Sequence, residues 1–247
     1  MDPREFVVFS VQHFVAIGAT AFAAAVMIWL HRSRTVAATM KRAANLTLAI
    51  ILIVSVLCDP LWTWLRYRAE PDYAFRLLRE NALPLHFCDV VSFLLAWTLI
   101  SPRQRCAELG YLWGLSGTLQ GLLTPSVKHG WGSPEYWTFF AQHGGVPVAA
   151  LALVFGAGLR PQPGALRRAL CWGWAYMAII CLLNWLLRTN YGYFNGPPDA
   201  PSLLDYMGPW PWYLLTLQGV AVLFFSLLLV PFRNRSSPSL RQVTPSA

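Results

Sequence analysis

The residues best suited to chemistry in this 247-residue chain lie in two short stretches. The first is Leu83-Pro84-Leu85-His86-Phe87-Cys88-Asp89, which sets an imidazole, a thiol and a carboxylate at the lip of the apolar run Val90-Val91-Ser92-Phe93-Leu94-Leu95-Ala96-Trp97. The second is Phe139-Phe140-Ala141-Gln142-His143-Gly144-Gly145-Val146-Pro147. A thiol and a histidine base are the working parts of acyl-enzyme catalysis: the base takes the thiol proton while sulfur attacks an ester carbonyl. Cys88 and His143 are therefore the candidate catalytic pair. Pro84 suits the first turn of a helix. Cys88 then sits about one turn in, where the positive end of the helix dipole favours a thiolate. Ser92, at i+4, shares the Cys88 face, whereas His86 and Asp89, at i and i+3, are expected to pair with each other. Gly144 and Gly145 allow close helix approach. Pro147 is predicted to kink its helix and free the carbonyl of His143.

The setting of these groups is a membrane. Hydrophobic residues make up 56% of the chain and charged residues only 12%, with a mean hydropathy of +0.44, and the apolar residues come in long blocks. The net charge of +8 raises the question of nucleic acid. The basic residues fall between apolar blocks and near the C-terminus, which is loop charge and excludes a phosphate-tracking groove. The five cysteines, at 58, 88, 106, 171 and 181, show no CxxC spacing. Neither a disulfide framework nor a thiolate zinc site is expected, and all but Cys88 read as small buried apolar residues.

About seven blocks are long enough to cross a bilayer: Ser10–Leu30, Asn45–Leu65, Leu83–Ser101, Cys106–Thr124, Tyr136–Gly158, Arg168–Arg188 and Pro209–Phe232. Inserted segments must be helices, since lipid offers the backbone no partners. The expectation is an all-α polytopic bundle, one domain over residues 1–232, with a disordered tail at 233–247. Lys and Arg concentrate in the first, third and fifth connections and the tail, which places the N-terminus outside and the C-terminus in the cytoplasm. On that topology the polar side chains gather in the outer half: Asp59, His86, Cys88, Asp89, Gln120, Thr124, Gln142, His143, Asn184, Arg188, Asn190, Tyr191 and Asp205. Taken singly, each is explained as a cap or an interhelical hydrogen bond; together on one side they point to a cavity. The inner half is expected to hold little that is comparable.

Several stretches carry a resemblance. Leu83 to Asp89, Tyr111-Leu112-Trp113-Gly114-Leu115-Ser116-Gly117-Thr118-Leu119-Gln120, Gln142-His143-Gly144-Gly145, Asn190-Tyr191 and Ser202 to Trp212, in that order, resemble the YwaF-like family of bacterial integral membrane proteins. Its animal relatives are membrane acyltransferases that remodel ether phospholipids, and more distant relatives of the androgen-induced type hydrolyse fatty-acid esters. The resemblance implies an intramembrane active site in a bacterial cytoplasmic membrane. In the acyltransferase branch a cysteine carries the acyl group and a histidine assists. By motif context these roles fall on Cys88 and His143. The hydrolase branch uses threonine where this chain has Cys88, which favours transfer.

The expected activity is acyl transfer or ester hydrolysis on a membrane lipid without a cofactor. His86, Asp89, Gln120, Asn184, Asn190, Tyr191 and Asp205 support the pair, with Gln120 or Asp205 orienting the His143 ring. Phe87, Phe139, Phe140 and Trp113 wall the acyl chain. Two other readings exist. His86, Asp89 and His143, with Asp59 or Asp205, offer zinc donors, although no HxxxH or HExxH pair is present. A transporter would spread polar groups through both halves. The topology is testable with cysteines introduced at Thr35 and at Asn195. A membrane-impermeant thiol reagent applied from outside is expected to label the second and spare the first; the opposite pattern would invert the orientation.

Overall fold

The structure, a computed structural model, describes residues 5–198 and 203–233. Residues 199–202 and the expected tail beyond Arg233 lie outside the described residues. The chain is an all-helical polytopic membrane protein. Its helices are α1 (Val11–Arg32), α2 (Ala38–Tyr67), α3 (Pro71–Leu77), α4 (Phe87–Ile100), α5 (Gln104–Trp113), α6 (Leu119–Leu123), α7 (Pro134–Leu151), α8 (Ala165–Leu187) and α9 (Tyr213–Leu229). Three π-helical turns extend this set. Leu78–Ala82 continues α3, Gly114–Thr118 joins α5 to α6, and Ala152–Gly156 continues α7.

Five of these runs are long and apolar enough to cross a membrane: α1, α2, α7 with its π turn, α8, and α9 extended to Phe232. A sixth is available if α3 and α4, with the π turn between them, count as one span bent by 71°. The run Gln104–Leu123, where a fourth span was expected, is helical throughout but is not among them. The reason is its company. Glu108, Gly110, Tyr111, Leu112, Trp113, Gly114, Thr118 and Leu122 are all buried against protein, so this run need not be apolar enough to meet lipid.

Helix α7 is the hub, packing on α1, α2, α4, α5 and α6. Of its most apolar stretch 67% is buried, against 11% for α9 at the periphery. Small residues make this approach possible. A Cβ on Gly144 would lie 2.4 Å from Thr20 Oγ1 of α1, and one on Gly145 would lie 3.0 Å from Leu52 of α2. The helix runs on through Pro147 to Leu151, and the π turn Ala152–Gly156 follows it. Around α7 the main core fills the half of the bundle away from the chemistry, with Leu95, Leu99, Ala107, Leu112, Ala149, Leu153 and Val154 at its centre.

That half is not free of polar groups, contrary to the sequence expectation. Glu108 is 1% exposed and takes a bidentate pair from Arg168, at 2.7 Å from Nε and 2.8 Å from Nη2. It also accepts the Gln162 amide at 2.9 Å. His31 and Asn45 meet at 2.9 Å on the same side. The sequence concealed the pair because its members lie 60 residues apart, each at a helix start where a charge reads as solvated. Cys171 and Cys181, expected to be buried, face outward on α8. Removing one member of a buried pair strands the other. Arg168→Met is therefore expected to cost about 3–5 kcal/mol, seen as a lower thermal transition in detergent. Adding Glu108→Leu should recover much of that loss; a double variant no more stable than the single would refute the account.

Candidate functional site

A cavity of about 1210 Å³ opens at the end of the bundle where α2 and α8 finish and α4, α7 and α9 begin. Cys88, His143, His86, Asp89, Gln120, Gln142 and Asn190 all line it. So do Phe87, Phe139 and Trp113, whereas Phe140 packs with Ala16, Leu122 and Tyr136 in a separate cluster.

Helix α4 starts at Phe87, with His86 as its N-cap. Pro84 is thus not in the first helical turn, as the sequence suggested; it lies in the bend after the π turn, and Cys88 is the second residue of the helix. The cause is the bend itself. Tyr191, fully buried, accepts the Leu83 N–H at 2.9 Å and donates to the Arg79 carbonyl at 2.8 Å through one hydroxyl, which pins the chain before α4. Burial pushes the Tyr191 phenol up to about 12, so it stays protonated and keeps donating at neutral pH. Asn184 holds Tyr191 in turn, accepting its N–H at 2.8 Å and donating to its carbonyl at 2.9 Å.

Asp89 closes the first turn of α4. Its Oδ2 accepts the His86 N–H at 3.0 Å, and its Oδ1 accepts from Gln142 of α7 at 2.8 Å. The Cys88 thiol faces the same Oδ1 at 3.8 Å. The carboxylate therefore binds the His86 backbone and comes up to the thiol, whereas the sequence paired it with the imidazole. The His86 ring instead packs edge-on against Tyr191, centroids 5.0 Å apart, and tilted against Tyr193 at 5.3 Å. Ser92 shares the Cys88 face and donates to the Cys88 carbonyl at 2.7 Å.

His143 is fixed by its own helix. Its Nδ1 lies 3.0 Å from the carbonyl oxygen of Phe139, and its ring stacks on the Phe139 ring at 4.1 Å. A carbonyl only accepts, so Nδ1 carries the proton and Nε2 of the neutral ring presents a lone pair. Gly121 supplies the room: a Cβ there would sit 2.1 Å from His143 Cδ2 and 2.6 Å from Nε2. The sequence assigned the orienting to Gln120 or Asp205; the ring contact described here is the Phe139 carbonyl. Gln120 lines the cavity, and Asp205 is exposed on the 3-10 turn Leu203–Tyr206, whose Leu204 lines it.

The profile of the TMEM164 family matches residues 8–229, which takes in every one of these groups. The chain belongs to the TMEM164 family. No curated protein and no solved structure matches it. Membership agrees with an integral membrane protein and leaves the reading of the cavity to its geometry.

Within this family member the supporting residues divide in two. Asp89 and Gln142 touch the thiol-bearing turn directly, and Asn190 lines the cavity while bonding Gly196 and Asn195 of its own loop. Asn184 and Tyr191 stand behind, holding the entry to α4. Sequence reasoning passed over Gly121, the Phe139 carbonyl and the lining residues Trp62 and Thr118, whose Nε1 and Oγ1 are buried without a hydrogen-bond partner among the described residues. Of these only Gly121 carried a signal: it follows Gly110, Gly114 and Gly117 on one helix face. Gly121→Ala is expected to displace the His143 ring and to slow labelling of Cys88 by an acyl electrophile on the order of 10²-fold, the scale of a 1 Å misplacement. Equal labelling rates with an acyl electrophile in wild type and variant would show that the ring position does not matter.

Proposed function

We propose that this chain is a membrane-embedded lipid acyltransferase or lipid-ester hydrolase that works through a cysteine acyl-enzyme. The observation that carries the reading is the fixed ring of His143. Its Nδ1 is committed to Phe139, which leaves Nε2 as the basic nitrogen, and both His143 and Cys88 line the same cavity. A general base needs that free lone pair, and a thiol is the nucleophile it best activates. In the first half-reaction Nε2 takes the thiol proton, Sγ bonds to the ester carbonyl carbon, and the ester C–O bond breaks. The leaving alkoxide receives the proton from the imidazolium. In the second, Nε2 takes a proton from a lysolipid hydroxyl or from water, whose oxygen attacks the thioester and releases Sγ, which is reprotonated. The amides of the first turn of α4 supply donors for the oxyanion.

The resemblance of the ordered motifs to YwaF-like proteins, whose animal relatives are acyltransferases, supports transfer over hydrolysis. The substrate is a membrane lipid entering from the outer half, on the orientation that the basic residues favour. The zinc reading finds no support in the geometry. Among the described residues no three His, Cys, Asp or Glu side chains are arranged to hold a metal ion. For transport, the groups on the other side, Glu108 with Arg168 and His31 with Asn45, are paired with each other and do not line the cavity.

Purified protein in lipid nanodiscs tests the proposal. An acyl-type activity-based electrophile is expected to label wild type at Cys88, to leave Cys88→Ala unlabelled and to label His143→Ala about 10²–10⁴-fold more slowly, the usual contribution of a positioned base. Equal labelling of all three, with lipid products unchanged, would remove it.

A further inference from the structure

The cavity is larger than the chemistry needs. At about 1210 Å³ it exceeds the ~300–1,000 Å³ of an ordinary small-molecule site, and part of its lining comes from α8 and α9. Leu170, Gly173 and Met177 line it from α8 at i, i+3 and i+7, while Leu217, Ala221 and Phe224 line it from α9 at i, i+4 and i+7. These are single faces of two membrane-spanning helices, turned toward one cavity. From Met177 down to Leu170 the lined stretch spans roughly 10 Å along the helix axis at 1.5 Å per residue.

This arm is continuous with the reactive end. Tyr176, on the same helix, packs on Phe87 with centroids 5.4 Å apart, and Trp113 packs on Phe87 from the other side at 5.3 Å. Phe87 is the residue before Cys88. At the far end the Trp113 indole N–H donates to the Ala169 carbonyl at 3.2 Å, which closes the floor beside Leu170. Along the arm Gly173 stands out: a Cβ built there meets nothing within 4 Å, although the residue lines the cavity. The space in front of it is open, and the lining around it is mainly apolar, with Gln218 of α9 its polar member.

We propose that the gap between α8 and α9 is the acyl-chain site, holding one hydrocarbon tail of the substrate lipid with its methyl end toward Leu170 and its carbonyl end toward Cys88. This rests on the acyl-enzyme reading above. Gly173 and Ala221 then set how far the tail extends, since a large side chain at either position fills the arm below it without touching Cys88 or His143.

The test uses the full chain in nanodiscs and two probes, eight-carbon and sixteen-carbon fatty acids with a diazirine at the methyl end, located by peptide mass spectrometry after irradiation. In wild type the longer probe is expected to mark the floor, at Leu170 or Phe224, and the shorter probe residues nearer Met177. In Gly173→Phe and in Ala221→Trp the ratio of long-probe to short-probe crosslinking in the arm should fall about tenfold or more, since burial of a few methylenes accounts for such a factor. Wild-type crosslinks outside α8 and α9, or unchanged ratios in both variants, would overturn the site. Crosslinks in the arm together with a Cys88 that no acyl electrophile labels would uphold the site and remove the catalytic reading instead.

Discussion

The structure depends on one close approach: the glycine face of the Gln104–Leu123 run against α4 and α7. Gly110, Gly114, Gly117 and Gly121 follow one another at spacings of four, three and four residues, the repeat of a single helix face. A Cβ on each would collide, in order, with Leu95 at 2.4 Å, Val146 at 2.8 Å, Phe87 at 2.7 Å and His143 at 2.1 Å. The face thus touches α4 and α7 alternately and wedges between them. Hydrophobic burial gives little preference between protein and lipid here, so packing and interhelical hydrogen bonds must supply the specificity. Small residues that let backbones close up are how such packing is gained. The last two glycines meet Phe87, beside the thiol, and the His143 ring itself, so one contact holds the bundle together and places the chemistry.

Around that contact several costly polar groups are partnered from other elements, as membrane interiors favour. Asp89 takes Gln142 from α7, Asn184 holds Tyr191, and Tyr191 holds the turn before α4. These bonds run from α8 through the loop to the first turn of α4, so the Cys88 turn is fixed from behind as well as across the cavity. The opposite end uses the same device with the Glu108–Arg168 pair. The candidate site is therefore framed by paired polar groups that fix where Cys88 stands.

How much of this the sequence disclosed follows from the range of each interaction. The helical class, the long apolar runs and the gathering of polar residues in one half were legible, because hydropathy and period are local. Membership of a membrane-protein family was legible through the ordered motifs. The first turn of α4 was misjudged: Pro84 carried a helix-start signal, but Tyr191, 108 residues away, binds Leu83 and holds the chain in a bend until His86. The orienting partner of His143 was missed because it is a backbone carbonyl four residues back, and residue types carry no signal for that. Gly114 and Gly117 were noticed as part of a motif, but the purpose of the four glycines appears only when α4 and α7 stand on either side of them. The fourth expected span proved less apolar than its neighbours because surrounding helices, rather than lipid, cover it.

The central claim is that Cys88 becomes acylated with His143 as its base. The direct measurement is intact-protein mass spectrometry of single-turnover acylation by an ester-bearing phospholipid, with the adduct mapped to its residue. The account predicts one acyl thioester on Cys88, cleaved by hydroxylamine, forming on the order of 10²-fold or more slower in His143→Gln. An adduct on another residue, or the same rate on Cys88 without the histidine, would contradict it.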